Sequence, residues 1–511
     1  MVSANMNPVT HRTGTRIGEP SAIPVRREWW SALGLALLGA VVAVSGMVYH
    51  GMGLFTERHL PLIRGLDDTY YFLWLPKLVV DHDLDFESAL AQCPMITESD
   101  YQLEFTTPPT PTGMHYNKFP VGWALGSLPF YLVARAAALV FGLGDKGWEP
   151  VYQIAVWLGQ FGYALAGLVC AWRIFCRWFR PAIAAAAVLA GWLASPLVYY
   201  QSAALSVTHS QVFALFAISS WLALKISDGD TNRWWFAALG LTAGLLVVTR
   251  YTAFAYLVLP AIVLSRYAAG GTSLGGRVWH LTVFVLGATP PILVQCAAWK
   301  ILYGSWIWNS YGAETFDWAH PHVWKVLFSP LHGFFYWHPL MLIGIAGGAF
   351  WMWRRDPSKR AFLPNAVGQT RAPAVAEAMV GRLGAPGITK GPVVRLHRES
   401  NAPDFLVWAW GASFVFMLML NACWPSWWFG VSFGNRAFEG TVLLAMGGLA
   451  YLFTTTKRPS WLRMLVYAAV GSGIAWNLML FVLFLTRRIP GEAPVTWFDA
   501  WHAMAGMLFP A

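Results

Sequence analysis

Apolar runs of about 20 residues, the length that crosses a hydrocarbon core, recur along this chain from Trp29 onward. Such runs predict helices, because in lipid only a helix or a closed barrel satisfies its own backbone hydrogen bonds. They read as spans 29–49, 151–172, 181–200, 207–225, 234–249, 251–267, 278–302, 334–353, 405–423, 437–453 and 461–485. The expectation is an all-α integral membrane protein with about 11 transmembrane helices. A tail, 1–28, precedes the membrane domain 29–485, and a tail, 486–511, follows it.

Residues 51–150 form the largest region outside these spans and hold twelve Asp and Glu against six Lys and Arg. Within it, 119–141 is apolar enough to span, yet it carries Pro120, Pro129 and Arg135. If it spanned, Arg173, Arg177 and Arg180 would face outward, against the retention of Lys and Arg in cytoplasmic loops. It is therefore taken as an interfacial helix, since a mid-span charge costs about 2.5–3.5 kcal/mol even on mild scales. With that choice 23 of the 35 Lys and Arg lie on the cytoplasmic side, including those of the loop 354–404. The N-terminus is then cytoplasmic and the C-terminal tail external, as in a multi-pass protein of the cell inner membrane.

Composition agrees: 57% of residues are hydrophobic, 12% are charged and thirty are Trp, far more apolar surface than a soluble core hides. The net charge of +10 sits in short loops without a basic-aromatic stripe, so orientation explains it better than nucleic acid does. The five cysteines have no metal-ligand spacing. No metal and no other cofactor is expected.

Polar residues collect on the external side. Asp67 and Asp68 open the helical stretch GLDDTYYFLWLP, where they suit either a general base or a helix N-terminus. The acidic run Asp81, Asp83, Asp85 and Glu87 reads as a solvated turn. Lys118, before Pro120, suits either a phosphate or a snorkelling position. Arg250 stands at a turn between two short spans with no acid near it in sequence, so it needs an anion or a polar cavity. Arg436 and Glu439 follow a Gly-rich aromatic loop and, three apart, are placed to pair on one helical face. His209 stands at the mouth of a span. The loop 303–324 gathers Tyr311, Glu314, Asp317, His320 and His322 among aromatics, as a sugar-binding loop or an interfacial belt would.

In order and sidedness these segments resemble the GT-C class of membrane glycosyltransferases, in its protein O-mannosyltransferase and aminoarabinose transferase branch (glycosyltransferase family 39-like). The matching segments are Asp67, Asp68 with Tyr70 and Tyr71; NKFPVGWALGSLPFYL; VVTRYTAF; YGSWIWNSYG with FSPLHGFFYWHP; and WWFGVSFGNRAF. Two positions depart: Asp68 stands where many relatives carry Glu, and a single Pro follows Lys118 where aminoarabinose transferases have two. Their donor sugar is therefore not carried over.

The resemblance implies a GT-C fold and transfer of a sugar, with inversion, from a polyprenyl-phosphate-linked donor to a glycan, lipid or protein acceptor at the outer face. Asp67, with Asp68, would be the base, and Lys118, Arg250 and Arg436 would bind the donor phosphate. Tyr70, Tyr71, His209, Tyr311, Glu314 and His338 would line the substrate. The competing class is a secondary transporter or flippase of lipid-linked sugars, but no internal repeat is visible and the charges gather toward one face.

Overall fold

The computed structural model describes residues 62–63, 65–96, 108–269, 273–312, 314–355, 402–455 and 460–509. The expected first span 29–49 and most of the loop 354–404 lie outside them. Among the described residues the regular structure is entirely helical.

Helix α1, Leu66–Pro76, runs on into a π-helical turn, Lys77–Asp81. It is followed by α2 (Gly122–Phe141), α3 (Pro150–Phe175), α4 (Pro181–Leu193), α5 (His209–Ser227) and α6 (Arg233–Thr249). Next come α7 (Val258–Ala269), α8 (Leu274–Tyr303), α9 (Pro339–Arg355), α10 (Ala402–Ala422), α11 (Val442–Thr455), α12 (Ser460–Leu485) and the short α13 (Trp497–Leu508). Among the described residues, seven helices are long and apolar enough to cross a membrane, and α4, α6 and α11 are shorter apolar helices. With the apolar composition, that makes this a multi-pass membrane protein.

Without water there is no hydrophobic drive between helices in lipid, so close approach at small residues becomes the source of contact energy. Helices α6 and α8 meet this way: a Cβ on Gly240 would strike the Phe284 carbonyl, and one on Gly287 would strike the Ala237 carbonyl. Helices α9 and α11 repeat the device where Gly448 faces Gly344 and Gly348. Aromatic residues fill the wider gaps, with Phe175 against Trp410 at 5.7 Å and Trp178 against Trp351 at 5.3 Å.

Helix α2 begins against the ends of α5 and α6, where a Cβ on Gly122 would meet the backbone at Val248 and Thr249 and where Gln211 donates to the Gly122 carbonyl at 2.9 Å. It then runs antiparallel to the first half of α3, with Ser127 bonded to Gln160 and Arg135 to Tyr152. The far end of α3 lies elsewhere, against the far end of α5, where Arg177 pairs with Asp228 at 2.6 Å. Helix α2 thus has the length of a span and leads away from the opposite end of the bundle.

A second apolar core binds α1 to α2 and to the end of α8, fixing the segment before α2. The acidic run is more than a solvated turn: the fully buried ammonium of Lys77 is neutralised by Asp81 at 2.9 Å and by Asp83. Asp85 accepts from the backbone N–H of His115 at 2.9 Å, tying this turn to the Lys118 segment.

Candidate functional site

Gly65, at φ 84°, turns the chain into α1, and Asp67 and Asp68 occupy its first turn, where the helix dipole favours negative charge. Consecutive residues point about 100° apart, so the two acids meet different surroundings. The Asp67 carboxylate, 43% exposed, accepts from Arg436 at 3.2 Å. Asp68 is buried and accepts from the hydroxyl of Ser206. Burial pushes the Asp68 carboxyl up from the ordinary 3.8 to about 7; the neighbouring charge of Asp67 also raises it, while Ser206 and Arg436 oppose the rise.

Arg250 is the residue at which α6 ends and a 3₁₀ turn, Tyr251–Leu257, begins. Its Nη1 donates to Glu439 Oε1 at 3.2 Å and lies 3.1 Å from His209 Nδ1. A guanidinium only donates, so Nδ1 accepts in this contact, and the same nitrogen lies 3.6 Å from Glu439 Oε2. Glu439 therefore serves Arg250 and not Arg436, its expected partner three residues away. Asn435 starts the turn by accepting from the Ala437 N–H, and that turn sends Arg436 to Asp67 and Glu439 to Arg250.

Lys118 sits on a backbone held from several sides. Its carbonyl accepts from Ser310 at 2.7 Å, the Asn117 carbonyl from Tyr303 at 3.2 Å, the Phe119 carbonyl from Trp74 at 3.1 Å, and the Val121 N–H donates to Gln295 at 2.8 Å. The ammonium pairs with Glu314 at 3.1 Å and lies 5.8 Å from the ring of Tyr311.

Aromatic rings join the three cations. Arg250 and Arg436 lie 5.9 Å and 5.7 Å from the same Phe429 ring. Phe429 has φ 60°, a strained value for a bulky residue of the kind that gathers at functional sites. Tyr311 touches Phe119 and Tyr251, and Phe119 touches Tyr71 at 4.8 Å. Tyr71 lies within electrostatic reach of Asp67, Arg250 and Arg436, and Tyr311 of Asp67 and Arg250. Asp67, Lys118, Arg250 and Arg436 thus border one locality at one end of the bundle, with Tyr71, His209, Tyr311 and Glu314.

Other expected residues do different work. Tyr70 is buried and its carbonyl accepts from Asn117 at 2.9 Å, supporting the Lys118 segment. His338 is enclosed by Asn477 at 2.7 Å, by Phe433 and by the turn at Gly434, so it belongs to the packing of the bundle. Asp317 and His320 pair with each other on an exposed loop at 3.0 Å. Among the described residues, His, Cys, Asp and Glu do not gather in groups of three that could hold a metal. Sequence reading missed Ser206 and Phe429. A serine in a loop carries no signal of a carboxylate 138 positions away, and Phe429 was one of many aromatics in its segment.

The site draws no support from known proteins at the level of sequence, because no family model matches the chain and no curated protein matches it. Among solved structures, ArnT from Cupriavidus metallidurans in the apo state is similar over 94% of this chain and 76% of that one, at 14% identity and a TM-score of 0.40, a likeness too loose to carry an argument.

Proposed function

We propose that this protein is a glycosyltransferase of GT-C type, which moves a sugar from a polyprenyl-phosphate-linked donor to a glycan, lipid or protein acceptor at the outer face of the cell inner membrane. The observation that carries the reading is the meeting of a half-exposed carboxylate, Asp67, with Arg436, Arg250 and Lys118 in one locality. A base beside several cations is what displacement of a phosphate leaving group from a sugar requires.

In this reading the donor's lipid lies in the bilayer and its phosphate among the cations. Asp67 takes the proton of the acceptor hydroxyl, whose oxygen bonds to the anomeric carbon. The bond from that carbon to the phosphate oxygen breaks, the electron pair leaves with the polyprenyl phosphate, and a single displacement inverts the anomeric centre. Of the two acids Asp67 suits the base, being exposed; Asp68, buried against Ser206, holds the first turn of α1 in place.

The ion pairs differ in how readily a phosphate replaces the carboxylate. Lys118–Glu314 is open to water on both sides, and such pairs are worth about 0–1 kcal/mol, so exchange is cheap. In Arg250–Glu439 the carboxylate is 3% exposed, and removing one partner of a buried pair costs about 3–5 kcal/mol, so that pair persists. Lys118 therefore receives the incoming phosphate, while Arg250 awaits it already oriented.

The test is to incubate the purified protein with a panel of polyprenyl-phosphate sugars and follow loss of sugar from the lipid. Release or transfer that disappears in Asp67→Asn supports the enzyme. Movement of intact lipid-linked sugar across vesicles without cleavage identifies the transporter class instead.

A further inference from the structure

Glu439 has no part in the reaction just described, yet its surroundings are among the most constrained at the site. Its carboxylate is buried, and the backbone beside it is fixed: the Gly440 N–H donates to Tyr256 Oη at 3.1 Å, and Phe438 stacks on Phe334 at 4.5 Å. A Cβ on Gly440 would press on the Tyr256 ring at 2.6 Å, so this stretch has little room to shift. The carboxylate is therefore a fixed point against which a mobile side chain can be set.

Arg250 is that side chain. Among the described residues its guanidinium bonds through Nη1, once to Glu439 and once to His209 Nδ1, and the Phe429 ring lies 5.9 Å away. Engaging one terminal nitrogen directs the planar fork and leaves the Nε and Nη2 N–H groups for a second anion. His209 is itself held against Tyr200, with ring centroids 4.4 Å apart. We propose that Glu439 is a positioning residue that orients Arg250 toward the departing phosphate of the lipid-linked donor; this rests on the glycosyltransferase reading above.

The experiment is a double-mutant cycle on the full chain in lipid nanodiscs, using Glu439→Gln, Arg250→Ala and the double variant. Turnover is measured with the donor found in the panel, and affinity with undecaprenyl phosphate. Misplacing a reacting or stabilising group by about 1 Å costs up to about 100-fold in rate, so Glu439→Gln should lower kcat at least about tenfold. The KM for the donor should change less than about threefold, because Lys118 still receives the phosphate. The double variant should match Arg250→Ala within about twofold in both kcat and affinity. A double variant slower by the product of the two single effects, or Glu439→Gln at full kcat, overturns the assignment. If Glu439→Gln fails to fold, Glu439→Asp keeps the buried charge, withdraws it by one methylene and completes the same cycle. A wild-type protein that neither turns over a donor nor binds undecaprenyl phosphate sinks the glycosyltransferase reading itself, a result distinct from additivity in an active enzyme.

Discussion

Asp67 and Asp68 are chemically alike and adjacent, and their different surroundings predict different behaviour. Asp67→Asn keeps the shape of the side chain and removes the base, so transfer should fall by about 10²–10⁴-fold, measured as turnover of the donor. Asp68 predicts an effect on stability. In the folded protein it holds its proton to about pH 7, whereas the unfolded chain loses it near 3.8, so between these values the folded state binds more protons. The contribution of Asp68 to stability is therefore fully present below about pH 4 and lost as pH rises to about 7. Asp68→Asn should flatten that part of the thermal-melting profile, with its largest relative gain above pH 7. Glu314→Gln removes the anion that competes at Lys118 and should lower the KM for the donor by up to about fivefold, the equivalent of an exposed pair worth 1 kcal/mol.

At the scale of elements, the helix contacts at glycine carry a stability prediction separate from the chemistry. Gly240→Leu would drive a side chain into the Phe284 carbonyl and separate α6 from α8, lowering the melting temperature and shifting the Arg250 turn that ends α6. Helix α2 tests the membrane arrangement. Its start is packed on the ends of α5 and α6, and its later turns meet the first half of α3 and, through Tyr131, Phe72 of α1, which supports a surface helix in spite of its 20 residues. Val140, 75% exposed near its C-terminal end, is then on the same side of the membrane as Asp67. A single cysteine placed there should react with an impermeant maleimide added from the outside of intact cells; labelling from the cytoplasmic side alone would make α2 a span.

For the molecule as a whole, the candidate site joins pieces far apart in sequence. Asp67 comes from the first turn of α1, Lys118 from the segment before α2, Arg250 from the end of α6 and Arg436 from the turn before α11. Each cation has an acid partner, so without substrate the site is close to neutral and a phosphate has to displace one of them. Because three side chains supply the positive charge, chelation with EDTA should leave turnover within about twofold of the untreated enzyme. A large loss would instead point to a metal bridging donor and protein.

The ten expected spans between residues 151 and 485 reappear as helices or helix pairs, with bounds displaced by a few residues. Hydrophobic length was enough there, because in lipid a long apolar run has only helical ways to satisfy its backbone. The breaks were equally legible, as at Arg250, where a charge ends one apolar run and opens the next. Partnership was beyond reach of the sequence. Spacing favoured Arg436 with Glu439, whereas packing joined Arg436 to Asp67, 369 positions away, and Glu439 to Arg250, 189 positions away. Local periodicity reports which face a residue occupies; which charge waits opposite that face depends on how the helices pack, and only the tertiary structure decides it.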